Sequence, residues 1–575
     1  MWFDYFKGRI HLWEQVDGVD LPAEPIDWVP YVFLKTNKSD IKSMYGDFVV
    51  KKKFKNYKDY KEFIKSQSAF EDQMKPEIQF LVDRYYGISD DEMAERAPIL
   101  KVYYCDIEVH KPEIGFPSPE KAEDPVSLIS IYDQSNEKII TFGIKPFKSN
   151  PEDSYYYCAT EKELLQKFLG FMKRYPCDVL SGWNIRGFDL PYLYNRILNI
   201  FGKDTKIHNA MSPAGNVNSW KKFDPKSGTI INVDIAGTSI LDYMELYKLY
   251  ADENLESYSL QYVSNFELGS GKFDYSKVAE DLKELYDKDW NTYVEYNKMD
   301  VRRVKQLDEK MGFIKLVQGI SLFSKCPMKF CDKQTSLIEA AMLTYLRRNN
   351  MCAPAMTKGS TQRFEAAVVK EPLIGRYEWV IDADITSSYP THIIALNMSN
   401  ETYYGRIMNF SEKQIIEFVT KRGFPEFTLK CFDTKAERWV SGKALRAFNN
   451  AIKAGLLTIS PIGVIFKSRP SGCFADVERS LFAHRKEIKD KMFEYSKAGN
   501  RIKAIQMKNS QVAIKTTLNG IYGAYAVVFS RYFNLDIAEA ITSCGRHTLL
   551  KGMDFVNDIA NSPNDELNSI LKELK

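Results

Sequence analysis

Ile99-Leu100-Lys101-Val102-Tyr103-Tyr104-Cys105-Asp106-Ile107-Glu108-Val109 decides the fold of this chain. Its aromatic, β-branched and aliphatic residues read as a buried β-strand, and Val126 to Tyr132 and Lys138 to Phe142 read as its neighbours. Helices are expected over Glu161 to Arg174 and Pro191 to Phe201, with a strand from Asp178 to Trp183 between them. Such alternation predicts an α/β sheet. Within the first strand Asp106 and Glu108 stand two apart, so both side chains leave the same face. Two carboxylates on one face of an apolar strand are unfavourable unless a cation or partner sits between them; a turn cap and an Arg partner form the competing account.

Downstream, Asp189 precedes Leu190-Pro191 at a helix start, where Asp is also a favoured cap. Tyr296 and Asp300 are four apart in the mostly helical segment Asp281 to Gln306 and share a face, which a merely exposed helix would also show. In order, the chain offers Asp106-x-Glu108, Gly182-x-Asn184-x-x-x-Phe188-Asp189 and Tyr296-x-x-x-Asp300. Four carboxylates and a phenol meet the needs of two-metal phosphodiester hydrolysis: acidic oxygens for two Mg²⁺ ions and a hydroxyl to orient water.

A second constellation follows. Val380 to Ile385 reads as a strand ending at Asp384, and Ser387, Tyr389 and Pro390 turn the chain into a short helix. Asp384 with the Ile385 carbonyl can hold Mg²⁺, and Tyr389 offers a flat ring to a sugar; an ordinary surface turn uses the same residues. Phe474 to Ala498 and Asn500 to Ile521 read as two long helices, with Gly499 free to take the left-handed conformation that ends the first. Arg485 and Lys489 share a face of one helix, and Lys515, Asn519 and Tyr522 share a face of the other. Arg485 and Lys515 then lie roughly 21 to 24 Å from the hairpin tip and can face each other. An Arg fork with two Lys point charges suits a triphosphate.

With 575 residues and 44% hydrophobic side chains, the chain can bury roughly three to five cores. Nine cysteines without Cys-x-x-Cys spacing argue against a disulfide framework or structural zinc, and Cys326 and Cys331 read as apolar filler. No apolar run approaches the roughly 20 residues that span a bilayer, and Met1 to Trp13 is too charged for a signal peptide, so a cytoplasmic protein without membrane contact is expected. Net charge is only +3. Any nucleic-acid surface must therefore come from clusters such as Lys51 to Lys58, which equally suits a solvated face, and Arg485 to Lys515.

The first constellation resembles the DEDDy 3′-5′ proofreading exonucleases with a ribonuclease H-like fold. The second resembles the family B DNA polymerases, in particular those of T-even-like tailed phages: Asp384 to Pro390 is similar to the palm motif, and Lys515-Thr516-Thr517-Leu518-Asn519-Gly520-Ile521-Tyr522-Gly523 to the fingers motif. His484-Arg485-Lys486 with Lys489, Phe364-Glu365-Ala366-Ala367 and Thr542-Ser543-Cys544-Gly545-Arg546 are similar to further elements of that family. The resemblance implies an α/β multidomain fold. Its parts would be an N-terminal mixed domain over 1–100 with 316–356, an exonuclease domain over 101–315, and a partial α+β palm over 357–470 and 526–575. Helical-hairpin fingers would span 471–525. It also implies two Mg²⁺ per active site, with Mn²⁺ a substitute, held by Asp106, Glu108, Asp189 and Asp300 and by Asp384 with the Ile385 carbonyl. Tyr296 would orient water, while Asn184 and Phe188 would touch the 3′ end. Ser387 and Tyr389 would meet the incoming dNTP together with Arg485, Lys489, Lys515, Asn519 and Tyr522. Ser388 stands where a hydrophobic residue is usual, and Thr391-His392 where Ser-Ile is common, departures that bear on packing of the nucleotide pocket.

Family B palms carry a second acidic turn, Asp-Thr-Asp, and a thumb; no such turn follows Arg546. The expectation is the N-terminal chain of a split replicative polymerase, acting on primer-template DNA with dNTPs. A second chain would supply the Asp-Thr-Asp turn, the thumb and contact with a sliding clamp. A stand-alone exonuclease with an inactive polymerase-like half, and a nucleic-acid-binding regulator, are the alternatives.

Overall fold

The apolar run after Pro98 pairs along both edges, as its hydrophobicity demands. In the computed structural model it forms β1, Val102–Val109. Five further strands complete its sheet: β2, Val126–Asp133; β3, Lys138–Gly143; β4, Ser154–Tyr157; β5, Val179–Gly182; and β6, Ser239–Asp242. The order is β4-β3-β2-β1-β5-β6. Pairing is antiparallel at β1/β2 and β2/β3 and parallel at β3/β4, β1/β5 and β5/β6. Helix α1, Glu161–Arg174, starts where the Thr160 side chain accepts the Glu163 N–H, a favoured N-cap. Its buried Leu164, Leu165, Phe168, Leu169 and Met172 pack in one core with Tyr103, Cys105 and Ile107 from one face of β1. Two more helices, α2, Asp189–Phe201, and α3, Trp290–Met311, bring functional side chains to the sheet. α3 covers the other face of β1, where Tyr104 donates to Asp308 at 2.8 Å.

The structure describes residues 28–95, 97–110, 115–224, 228–251, 253–269, 278–356, 387–431 and 436–561, short stretches within 2–26, and single positions between 275 and 385 that include Asp384 and Ile385. Two compact units are formed. The first comprises residues 1–29, 88–323 and 327–332 and holds the six-stranded sheet; the second comprises residues 30–87, 324–326 and 333–575. Cys326 and Cys331 are both buried, as apolar filler would be.

In the second unit, α4, Gln334–Arg348, is tied to residues 30–87 by ionic contacts. Arg347 donates to Asp83 at 3.0 Å, to Glu71 and to the Tyr31 hydroxyl at 2.9 Å. Glu71 is fully buried. Burial alone would push its carboxyl up, but the Arg347 guanidinium beside it holds the group below the usual range. Buried Arg531 is satisfied in the same way, by Glu339 at 2.6 Å and the Pro354 and Asp72 carbonyls at 2.7 and 3.1 Å. Removing one partner of such a pair costs about 3–5 kcal/mol, because the remaining charge stays buried.

Next along the chain come α5, Ser388–Leu396, and a five-stranded antiparallel sheet that the sequence reading does not anticipate. Its strands are β7, Tyr403–Met408; β8, Phe427–Cys431; β9, Glu437–Val440; β10, Leu457–Ile459; and β11, Val464–Lys467. They lie in the order β9-β8-β7-β11-β10. The expected helical hairpin forms as α6, Cys473–Lys497, and α7, Arg501–Ala526, with Gly499 at φ 71° between them. Glu478 of α6 is fully buried, and neither of its carboxyl oxygens has a hydrogen-bond partner. Helix α8, Leu535–Asn561, follows. The expected strand over 380–383 and the segment Phe364 to Ala367 lie outside the described residues.

Candidate functional sites

The acidic pair sits at the centre of the first sheet. Glu108 is 9% exposed and Asp106 half-buried. β5 stops pairing with β1 at Ser181, which leaves the Ile107 N–H beyond the ladder, and the Asp189 Oδ1 accepts it at 3.1 Å. Asp189 is thus the first residue of α2, with Phe188 in the cap position, and its side chain reaches β1 instead of capping its own helix. The connection from β5 to α2 needs its glycines: a Cβ at Gly182 would collide with the Cys105 carbonyl, and one at Gly187 with the Asn184 side chain. Asn184 itself adopts φ 62°, a left-handed conformation that Asn tolerates.

On α3, Tyr296 and Asp300 are both buried, Tyr296 packing edge-on against Tyr275 at 5.4 Å. Burial pushes the Asp189 carboxyl up to about 7, and the charges of Asp242 and Asp300 add to the push against the Ile107 N–H. Asp189 thus feels the charge of Asp300 on α3 and bonds the backbone of β1 next to Asp106. Two residues of this region escape sequence reasoning. Asn297 of α3 donates to Asp106 Oδ2 at 2.6 Å. Asp242 accepts the N–H groups of Asn184 and Arg186 at 3.2 and 3.0 Å while capping the helix Tyr243–Tyr250. A strand-to-helix cap signal was present for Asp242, whereas no local pattern links Asn297 to Asp106, 191 positions away.

Among the described residues no three His, Cys, Asp or Glu side chains are grouped as ligands of one metal ion. Protein donors hold Asp106 and Asp189 as they stand. The donor chemistry nonetheless fits a hard divalent cation: the oxygens are carboxylates, and Asp189, whose pKa burial raises, is an acid that a cation would stabilise in its ionised form.

In the second unit a cleft of about 510 Å³ is lined by Asp384, Ile385, Ser387, Ser388, Tyr389, Pro390, Arg485, Lys515, Asn519 and Tyr522, a size suited to a nucleotide-sized ligand. Three separate segments build it. Ser387, at φ 53°, turns the chain into α5, which delivers Tyr389; its ring lies 4.9 Å from that of Tyr522 on α7. Arg485 of α6 donates to Gln511 of α7 at 3.2 Å, a cross-link one helical turn before Lys515. Asp384, Lys515 and Asn519 are exposed. Lys489 is not among the lining residues; its ammonium sits 5.9 Å from the Phe493 ring. α7 approaches α4 closely at Gly520, where a Cβ would stand 3.0 Å from Ile338 Cδ1.

Of the N-terminal basic segment, Lys51 places its ammonium 3.7 Å from the Tyr31 ring and Lys52 4.7 Å from Phe63, so these two cations serve the protein's own aromatic rings. Among the described residues no helix is long and apolar enough to cross a membrane.

One chain thus carries acids on a buried sheet in its first unit and a cationic cleft with one carboxylate in its second. The chain belongs to DNA polymerase family B: residues 42–263 match the family's exonuclease domain and residues 325–573 match the DNA polymerase family B domain. It is 29% identical over 559 residues to the DNA-directed DNA polymerase of Escherichia phage RB69, covering 88% of this chain and 60% of the relative. It is 25% identical over 571 residues to that of Enterobacteria phage T4, covering 91% and 62%. To the DNA polymerase delta catalytic subunit of Caenorhabditis elegans it is 24% identical over 480 residues, covering 80% and 39%. The chain thus spans about 60% of the length of its phage relatives.

Proposed function

We propose that this chain is the polymerising and proofreading part of a replicative DNA-directed DNA polymerase, using primer-template DNA and dNTPs in the cytoplasm of a host cell. The observation that carries the reading is the cleft in which Asp384, Tyr389, Arg485, Lys515, Asn519 and Tyr522 meet. Arg485 and Lys515 would neutralise the triphosphate, Asn519 and Tyr522 would border the nascent base pair, and Tyr389 would lie under the sugar and exclude a 2′-hydroxyl. Lys489 would join them only by swinging away from Phe493. The hairpin of α6 and α7 would be the fingers, and β7 to β11 with α5 and α8 would belong to the palm region.

The six-stranded sheet would be a ribonuclease H-like exonuclease of the DEDDy type. Asp106, Glu108, Asp189 and Asp300 would hold divalent ions, as would Asp384 with the Ile385 carbonyl. Mg²⁺, or Mn²⁺ in its place, would there stabilise charge on the attacking and leaving oxygens. Tyr296 would orient the attacking water, and Asn184 and Phe188 would grip the 3′ end. Support comes from the family matches, from Asp106 and Glu108 on β1, and from the Asp189 bond to the backbone between them.

The test is a labelled primer-template incubated with the 575-residue chain and Mg²⁺. Shortening from the 3′ end without dNTPs, and saturable dNTP binding that Lys515→Ala weakens, are the expected results. Absence of both would overturn the reading; shortening without dNTP binding would favour a stand-alone exonuclease. The comparisons lend no support to a separate chain carrying the Asp-Thr-Asp turn, and efficient primer extension by this chain alone would show that none is needed.

A further inference from the structure

The residues at which the palm-like motif departs from its usual form are linked to one another. His392 Nε2 lies 2.9 Å from Thr548 Oγ1, and Thr548 Oγ1 donates its single proton to the Cys544 carbonyl at 2.9 Å. Thr548 is thereby left to accept from His392 Nε2, and Nδ1 faces the start of α5. Ser388 Oγ stands 3.5 Å from that Nδ1, at the long limit of a hydrogen bond, and Ser388 itself lines the cleft. Partial burial pushes the imidazole below its ordinary pKa, against a bond to the Ser388 backbone that pulls it up. One turn earlier on α8, a Cβ at Gly545 would stand 3.2 Å from Tyr389 Cε1 and 3.7 Å from Ser388 Oγ. The edge of the Tyr389 ring is thus seated on the bare backbone of α8, and the His392–Thr548 bond locks α5 to α8 beside it. The left-handed Ser387 supplies no side-chain cap for α5, so the start of this helix depends on such tertiary anchors.

We propose that Gly545, Thr548 and His392 are positioning residues for nucleotide selection: they fix the Tyr389 ring, and through it the width of the cleft wall that meets the sugar of a nucleoside triphosphate. α8 contributes no lining residue, yet it sets the shape of the cleft. The inference rests on the reading of the cleft as a dNTP site.

The experiment measures dissociation constants for dATP and ATP with the 575-residue chain, in wild type, Thr548→Val, Thr548→Ser, Gly545→Ala and Lys515→Ala, each checked for an unchanged thermal midpoint. Thr548→Val removes the acceptor with little change of volume and is expected to lower the preference for dATP over ATP about tenfold, the scale of one hydrogen bond. Thr548→Ser restores the preference, and Gly545→Ala, which pushes on the ring edge, shifts it in the same sense as Thr548→Val. Lys515→Ala weakens both nucleotides alike. If Thr548→Val and Gly545→Ala both keep the wild-type preference while Lys515→Ala weakens binding, the positioning role is refuted and the dNTP site stands. If the wild type binds neither nucleotide, the reading of the cleft fails and takes this inference with it.

Discussion

The two candidate sites are built on opposite plans. In the first unit the acids ride on a largely buried strand of a six-stranded sheet and on helices packed against it; Asp189 and Asp300 are each only 4% exposed. In the second unit the polar groups line an open cleft, Asp384 reaching solvent from the turn before α5 and Lys515 and Asn519 from α7, segments that meet only in the fold. A buried acidic site is held rigid and stores electrostatic repulsion that a cation can relieve. An exposed cationic cleft stores little, and owes its geometry to helix packing at Gly520 and Gly545.

This contrast breaks most readily at the acids. Asp106→Ala or Glu108→Ala is expected to lower 3′-end shortening by more than about 100-fold while dNTP binding is retained; residual cleavage in a gel assay would show that other groups carry the chemistry. Lys515→Ala should do the converse, raising the dNTP dissociation constant by roughly 10- to 100-fold, the scale of a charge-assisted hydrogen bond, with shortening untouched. Asn297→Ala tests whether the support beneath the acids matters. A loss of about 10- to 100-fold in shortening is expected, as for residues that orient metal ligands, and a wild-type rate would reduce Asn297 to packing.

Two smaller effects concern stability. Asp189 titrates near 7 when folded and near its ordinary value when unfolded, so the folded chain holds the extra proton between those values. In EDTA, stability should fall as pH rises from about 4 to 7 and level off above, a slope that Asp189→Asn abolishes and Mg²⁺ at pH 8 offsets. A flat melting profile in EDTA would mean that the acid is already neutralised by the protein. Glu478, likewise pushed up by burial alone, predicts that Glu478→Gln raises the melting midpoint by a few degrees at pH 8 and hardly at pH 5. An unchanged midpoint at pH 8 would show that water or movement of α6 already satisfies the carboxyl.

Legibility in the sequence followed the same divide. β1 to β3 and α1 could be read almost residue by residue, because a continuous apolar strand and a capped helix each announce themselves locally. The alternation that set Asp106 and Glu108 on one face is a property of the strand alone. β7 to β11 went unread: strands of three to six residues with exposed faces carry too weak a pattern, and the helix Pro76–Tyr85 was missed beside them. The cleft residues were nameable through resemblance and helical spacing, but spacing placed Lys489 with Arg485 without revealing that its ammonium turns towards Phe493. Asp242 and Asn297 act through partners 56 and 191 positions away, beyond any local pattern.

The contacts of Arg347 and Arg531 have a consequence for how the chain is made. Glu71 waits for a guanidinium encoded 276 residues later, and the backbone of Asp72 for one 459 residues later. At about 5–20 residues per second, a nascent chain would carry the unneutralised Glu71 for roughly 15 to 55 s before Arg347 is synthesised. In that interval the whole sheet of the first unit is translated and can fold, so the portion of the second unit nearest the amino terminus is among the last to reach its final place.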